Sequence, residues 1–260
     1  MRRELGLITA EAVKYWAEIK SYLFNTLSWL VALYIIFLTF FLGLRHFAGP
    51  SVDGMKLDSI IVGYVTWMFA LMGFQGISYG VVEETHKGTF EQLYLSPLGL
   101  ETIFAVRILY EFLYSLVFNS AILLLTMVTT GRWLSLGLPG FLKLFLLLTL
   151  SLPSLWGLGY LFGGLAMLSK KMGAFLQVVS FLLIGLVALP GYPFKPVSLL
   201  PFTAGASSLR VLVCSSGSQT FPLLWYLFLL ALSSFYILIG LWLYRLCERV
   251  ARRRNLLGQY

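Results

Sequence analysis

The chain has 260 residues, 59% of them hydrophobic and 12% charged, against about 25% charged in an ordinary soluble domain. That balance excludes a water-soluble globular protein, because uncharged runs such as Leu27–Leu44 and Ile60–Val82 suit only a lipid environment. The formal net charge of +8 gathers at segment ends and in the tail, which argues for membrane orientation and against nucleic-acid binding.

The first 24 residues predict an interfacial helix. Leu5, Ile8, Ala12, Tyr15, Trp16 and Ile19 recur at three- and four-residue spacing, while Glu11, Lys14 and Glu18 share the other face. Such a helix lies in the membrane plane with Tyr15 and Trp16 at headgroup level. The first apolar stretch follows at 25–44. It starts too far along the chain and runs too long for a signal peptide, and it is expected to stay as an anchor. Further crossings are predicted at 60–82, 104–130, 141–168, 174–189 and 223–245, each judged against the roughly 20 residues that a bilayer requires. The fifth is short, bounded by Lys170-Lys171 and Pro190-Gly191.

Six crossings put both termini on one side. The positive-inside rule makes that side cytoplasmic, because Arg2, Arg3, Lys14, Lys20, Lys87, Lys170, Lys171 and the basic residues from Arg245 to Arg254 then outnumber the outer Arg45, Lys56, Arg132, Lys195 and Arg210. Residues 191–222 are apolar but carry Pro196, Pro201 and Arg210, and one more crossing would place the basic tail outside. They are expected to form short re-entrant or surface-lying helices in the outer leaflet, tolerated at depth only where protein or a water-filled cavity surrounds them.

Within the spans, Arg107 and Glu111 are four apart, a spacing that permits a pair across a helical turn, but both lie close enough to the inner interface to snorkel, which favours a topological role. Gln75, Asn119 and Gln177 suit interhelical hydrogen bonds, and Gly76 with Gly80 and Gly159 with Gly163 suit close helix packing. No catalytic or metal-binding cluster emerges. His46 and His86 fall on opposite sides, as do Cys214 and Cys247, and neither G-x-S-x-G nor H-E-x-x-H occurs. The expectation is a non-enzymatic chain without a cofactor of its own.

The cytoplasmic loop after the second span is the most specified part of the chain. Gly88 permits a sharp turn, Thr89 and Gln92 form a capping box, Glu91 suits the positive end of a helix dipole, and Pro97 disfavours helix at Ser96. A short helix over about 89–95 is predicted, presenting Phe90, Leu93 and Tyr94. From the residues alone it either docks in a partner's groove or lies flat on the headgroups.

Glu84, Gly88-Thr89, Glu91, Leu93 and Ser96-Pro97 resemble the coupling-helix signature E-x-x-x-G-T-x-E-x-L followed by S-P of ABC-2-type permeases. Pro201-Phe202-Thr203 with Leu209-Arg210 is similar to that family's P-L-T…L-R stretch, although Leu200 stands where the family often carries Asn. The resemblance covers the whole chain and implies one all-α transmembrane domain over 1–260. It implies a homodimer or close heterodimer in a prokaryotic cytoplasmic membrane, surrounded by lipid, with two ATPase subunits that hold the ATP and Mg. Glu84, Gly88, Thr89, Phe90, Glu91, Leu93 and Tyr94 would then dock the ATPase, Tyr15 and Trp16 would mark the interface helix, and Pro201, Phe202, Thr203 and Arg210 the outer gate. Consistent with a separate motor, the sequence contains no G-x-x-x-x-G-K-[ST] loop. The competing classes are an ATP-independent secondary transporter or channel, which would favour deep ionisable residues, and an intramembrane enzyme.

Overall fold

The computed structural model describes residues 2–48, 54–86, 100–134, 136–169 and 172–253. All regular structure among them is helical: α1 (Arg2–Ser21), α2 (Leu23–Ala48), α3 (Gly54–His86), α4 (Leu100–Thr130), α5 (Leu138–Ser151), α6 (Pro153–Leu168), α7 (Gly173–Ala188), a 3-10 turn (Pro196–Leu199), α8 (Thr203–Cys214) and α9 (Leu223–Arg253). Five stretches are long and apolar enough to cross a membrane: Leu23–Gly43, Asp58–Glu84, Ala105–Thr130, Leu138–Leu168 and Leu223–Ala251. Helix α7 has 16 residues, roughly 24 Å at 1.5 Å per residue, and falls short of a hydrocarbon core about 30 Å thick.

The span expected over 141–168 is two helices joined at a proline kink. Pro153 has no N–H for the preceding turn and forces a break after Ser151. Beside the kink, a neighbouring helix adds a bond to the backbone: the Ser233 hydroxyl donates to the Leu150 carbonyl at 2.6 Å. Lipid offers no water there, so such a bond has to come from packed protein.

Helix α3 forms the axis of the bundle: its span is 72% buried, whereas the α2 span is 17% buried and lines the outside. Contact registers fix the helix directions. Gly159 and Gly163 of α6 face Ile77 and Val81 of α3 in rising order, and Gly157 and Gly164 face Tyr236 and Tyr244 of α9 in the same sense. Helices α3, α6 and α9 therefore run parallel. Phe37 and Phe41 of α2 share a cluster with Ile61 of α3, and Tyr64 of α3 donates to the Leu33 carbonyl in falling order. Gly76 and Met72 of α3 likewise meet Glu111 and Asn119 of α4. Tyr79 and Gln75 meet Gln177 and Ser180 of α7. Helices α2, α4 and α7 thus run against the first three. The interhelical bonds of Gln75, Gln177 and Asn119 are those expected of polar groups inside a bundle.

Glycine sets the α6–α9 distance. A Cβ on Gly157 would lie 2.3 Å from the Tyr236 carbonyl oxygen, and one on Gly240 2.1 Å from the Gly157 oxygen. Gly80, by contrast, has nothing within 4 Å of its Cβ position. Gly157→Ala is expected to force α6 and α9 apart and destabilise the protein by about 1–3 kcal/mol, whereas Gly80→Ala should leave stability within ~1 kcal/mol of wild type. Thermal unfolding of the two variants in detergent, side by side, checks the contrast.

Candidate functional site

Three elements meet at the end of the bundle where α3 stops and α4 begins. Helix α3 carries Glu84 in its last turn, α4 carries Arg107 two turns from its start, and α1 lies across both. Arg107 Nη1 donates to Glu84 Oε1 at 2.7 Å, and its Nε donates to Glu11 Oε1 at 3.2 Å. One guanidinium thus ties α1, α3 and α4 together. All three side chains are largely shielded, with 15%, 13% and 8% of their surfaces exposed for Arg107, Glu84 and Glu11. At that degree of burial an ion pair costs desolvation energy that only close geometry recovers, and removal of one partner is far more costly than the pair itself.

One turn further along α1, the Tyr15 hydroxyl donates to Glu111 Oε2 at 3.0 Å. The Tyr15 ring stacks on Tyr110 with centroids 5.6 Å apart, and the Tyr110 hydroxyl donates to the Ile8 carbonyl at 2.8 Å. Burial, and then the neighbouring Glu111 carboxylate, push the Tyr15 phenol far above its ordinary range, so it remains a hydrogen-bond donor at any physiological pH. Glu111 reaches across Gly76, where a Cβ would come within 2.7 Å of its Cγ. A cavity of about 310 Å³ opens beside this junction, bordered by Tyr15, Gln75, Tyr79, Glu83, Glu111 and Trp156.

This arrangement revises one expectation, that for Glu11. Arg107 bonds across helices to Glu11 and Glu84. Glu11 was assigned by spacing to the solvent face of α1, yet it is buried at 6% exposure, while Trp16 stands 71% exposed. The face of α1 that meets the bundle is rotated toward Glu11 and Tyr15 because the Arg107 guanidinium needs anions. In the sequence, the signal for this was an arginine close to a membrane segment and an acidic residue within the amphipathic leader. The junction places Glu84 and Tyr15 together. Gly88, Thr89, Phe90, Glu91, Leu93 and Tyr94 lie outside the described residues, in the segment that the tied ends of α3 and α4 flank.

The residues assigned to the outer gate cluster at the opposite end. Helix α8 is sunk in the bundle. Gly205, in its first turns, lies against Ser151, and Gly217, beyond its end, against Gly140. Those two positions on α5 are 11 residues apart, roughly 16 Å at 1.5 Å per residue, which measures how far the segment descends. Residues Thr203 to Leu209 are buried within the bundle. Phe202, at φ 65°, takes the left-handed conformation just before Thr203, with its side chain 2% exposed. A buried aromatic ring in that conformation is held against local strain by its packing. Thr203 Oγ1 is buried with no partner among the described residues. The segment is pinned by Trp225 Nε1 donating to Ser208 Oγ at 2.8 Å, Tyr192 N to Ser207 Oγ at 3.0 Å and Lys143 Nζ to the Gln219 carbonyl at 2.9 Å. Arg210 Nη1 donates to the Ala188 carbonyl at 3.3 Å and Nη2 to that of Val187, so Arg210 caps the C-terminal end of α7.

No protein-family model matches the chain, and no curated protein matches it either.

Arg107→Ala would leave Glu11 and Glu84 facing each other in a shielded site. The expected loss is about 3–5 kcal/mol. The double variant Glu11→Gln with Arg107→Met removes charge from both sides and is expected to recover part of that loss. Chemical or thermal unfolding of purified protein in micelles gives both values.

Proposed function

We propose that this chain is the membrane-spanning subunit of an ATP-driven exporter of the ABC-2 permease type, working with a separate ATPase. The observation that carries the reading is the Glu11–Arg107–Glu84 junction. It anchors both ends of the segment bearing Gly88-Thr89-Phe90-Glu91 and Leu93-Tyr94, and it fastens the leader helix to the same point. A docking helix transmits force only if its two flanking spans move with it. The shielded ion pairs supply that stiffness, and the α1 contact adds a second point of purchase beside the ATPase.

Helix directions support six crossings with both termini cytoplasmic. Because α6 and α9 run parallel, the chain between them has to return across the bundle once, and α7 together with the segment leading into α8 provides the return. Termini on the cytoplasmic side also satisfy the basic residues at the ends of the chain. The exposed apolar faces of α2 and α4, including Phe24, Val31, Phe40 and Val117, suit lipid and a second copy of the permease. The proposed setting is a prokaryotic cytoplasmic membrane, with a drug, a lipid or a polysaccharide-like molecule as cargo and the buried segment around Phe202, Thr203 and Arg210 as the outer gate.

Affinity capture of the tagged protein from gently solubilised native membranes, with bound chains identified by mass spectrometry, tests this. The expected result is a near-stoichiometric ATPase that is lost when Phe90 and Leu93 are both changed to Asp. Gly88→Pro should insert and bind normally but abolish substrate-stimulated ATP hydrolysis. Capture of the intact permease with no ATPase would overturn the proposal in favour of ATP-independent transport.

A further inference from the structure

A second cavity of about 310 Å³ lies at the α7–α8 end, between α2, α3, α7 and α8. Its wall is mostly apolar and aromatic, with Phe37, Phe40, Tyr64, Trp67 and Ile184, and Arg210 supplies the charge. Phe40 and Ile184 are 61% and 40% exposed on the outside of the bundle, so the cavity opens sideways toward lipid. Size and lining are those of a small-molecule site, an apolar body with few polar groups.

Arg210 is only partly compensated. A guanidinium carries five N–H donors, and the acceptors it meets among the described residues are the carbonyls of Val187 and Ala188. Those carbonyls contribute a partial negative charge at the end of α7, less than the full anion that a shielded cation calls for. The ion pairs found among the described residues are those of Arg107, so Asp58, near the start of the α3 span, is not paired with Arg210 there. The cavity therefore offers an apolar slot with spare cationic donors at its rim.

We propose that this cavity holds an anionic phospholipid of the adjacent leaflet. Its phosphate lies on the free edge of Arg210, and one acyl chain lies against Phe37, Tyr64, Trp67 and Ile184. The inference stands on membrane embedding and the cavity alone, and is independent of the ATPase assignment. Bound there, the lipid bridges α2 and the α7–α8 pair, two elements of the outer half that otherwise share little contact surface.

The test is lipid retention by native mass spectrometry, after release of the purified protein from nanodiscs of equimolar phosphatidylglycerol and phosphatidylcholine. Wild type is expected to retain phosphatidylglycerol over phosphatidylcholine by roughly tenfold: both phosphates accept from Arg210, but the choline cation cancels the lipid's net charge and sits beside the guanidinium. Arg210→Gln should bring the two lipids near parity, and Arg210→Lys should keep part of the preference. Ile184→Trp, which fills the slot and leaves the Arg210 cap in place, should lower retention of both lipids and decides the matter if Arg210→Gln does not fold. Equal retention by wild type, an undiminished preference in Arg210→Gln, or unchanged retention in Ile184→Trp overturns the proposal. So does a dimer that covers this face and retains no lipid.

Discussion

Helix α6 passes between α3 and α9 at backbone distance, and the rest of the bundle takes its position from that contact. Lipid tails are as apolar as leucine, so burial supplies little net drive for helices to associate in a membrane. What remains is close packing, and Gly157, Gly159, Gly163 and Gly164 provide it by presenting backbone where other residues would present a Cβ. Once α6 is seated, the kink at Pro153 directs α5 toward α8, and Ser233 of α9 reaches the Leu150 carbonyl beside the kink. Helix direction, kink and backbone satisfaction are thus one arrangement.

The two ends of this frame solve the problem of charge at membrane depth differently. At the α3–α4 end, Arg107 is held by two carboxylates from two other helices. The result is a stiff three-helix joint, because displacing any one helix would strand a shielded charge. At the α7–α8 end, Arg210 meets backbone carbonyls instead, closing the C-terminal end of the short helix α7. The first arrangement closes one guanidinium between carboxylates of two other helices, and suits transmission of force. The second retains donors, and suits binding. In the proposed permease these are the roles that the cytoplasmic and outer ends require.

The buried segment around Phe202 and Thr203 lies at the α7–α8 end. It is held in an unfavourable backbone conformation by full burial of Phe202 and by glycines that admit its close approach to α5. A segment fixed by packing rather than by its own propensity depends on the positions of the surrounding helices.

Much of this protein was legible in the order of its residues. Membrane embedding and the positions of five long spans follow from composition and run length, which are local quantities, and the shortness of 174–189 was visible between its flanking lysines and its proline. The polar pairs Gln75–Ser180 and Tyr79–Gln177 matched the expectation for amides inside a bundle. The capping signals of 88–97 likewise belong to the sequence alone. The tertiary structure decided which partner each charge took: Glu11 meets Arg107 across 96 positions of chain, a relation that no spacing rule encodes. It also set the rotation of α1, which turned a residue assigned to water into a buried ligand for a cation. The depth of α8 depended on the space beside Ser151, and that space exists only once α5, α6 and α9 have packed. Periodicity fixes which residues share a face, but the direction in which that face points is set by the strongest contact available to it. Here that contact was a shielded guanidinium, more costly to leave unpaired than a tryptophan is to leave exposed.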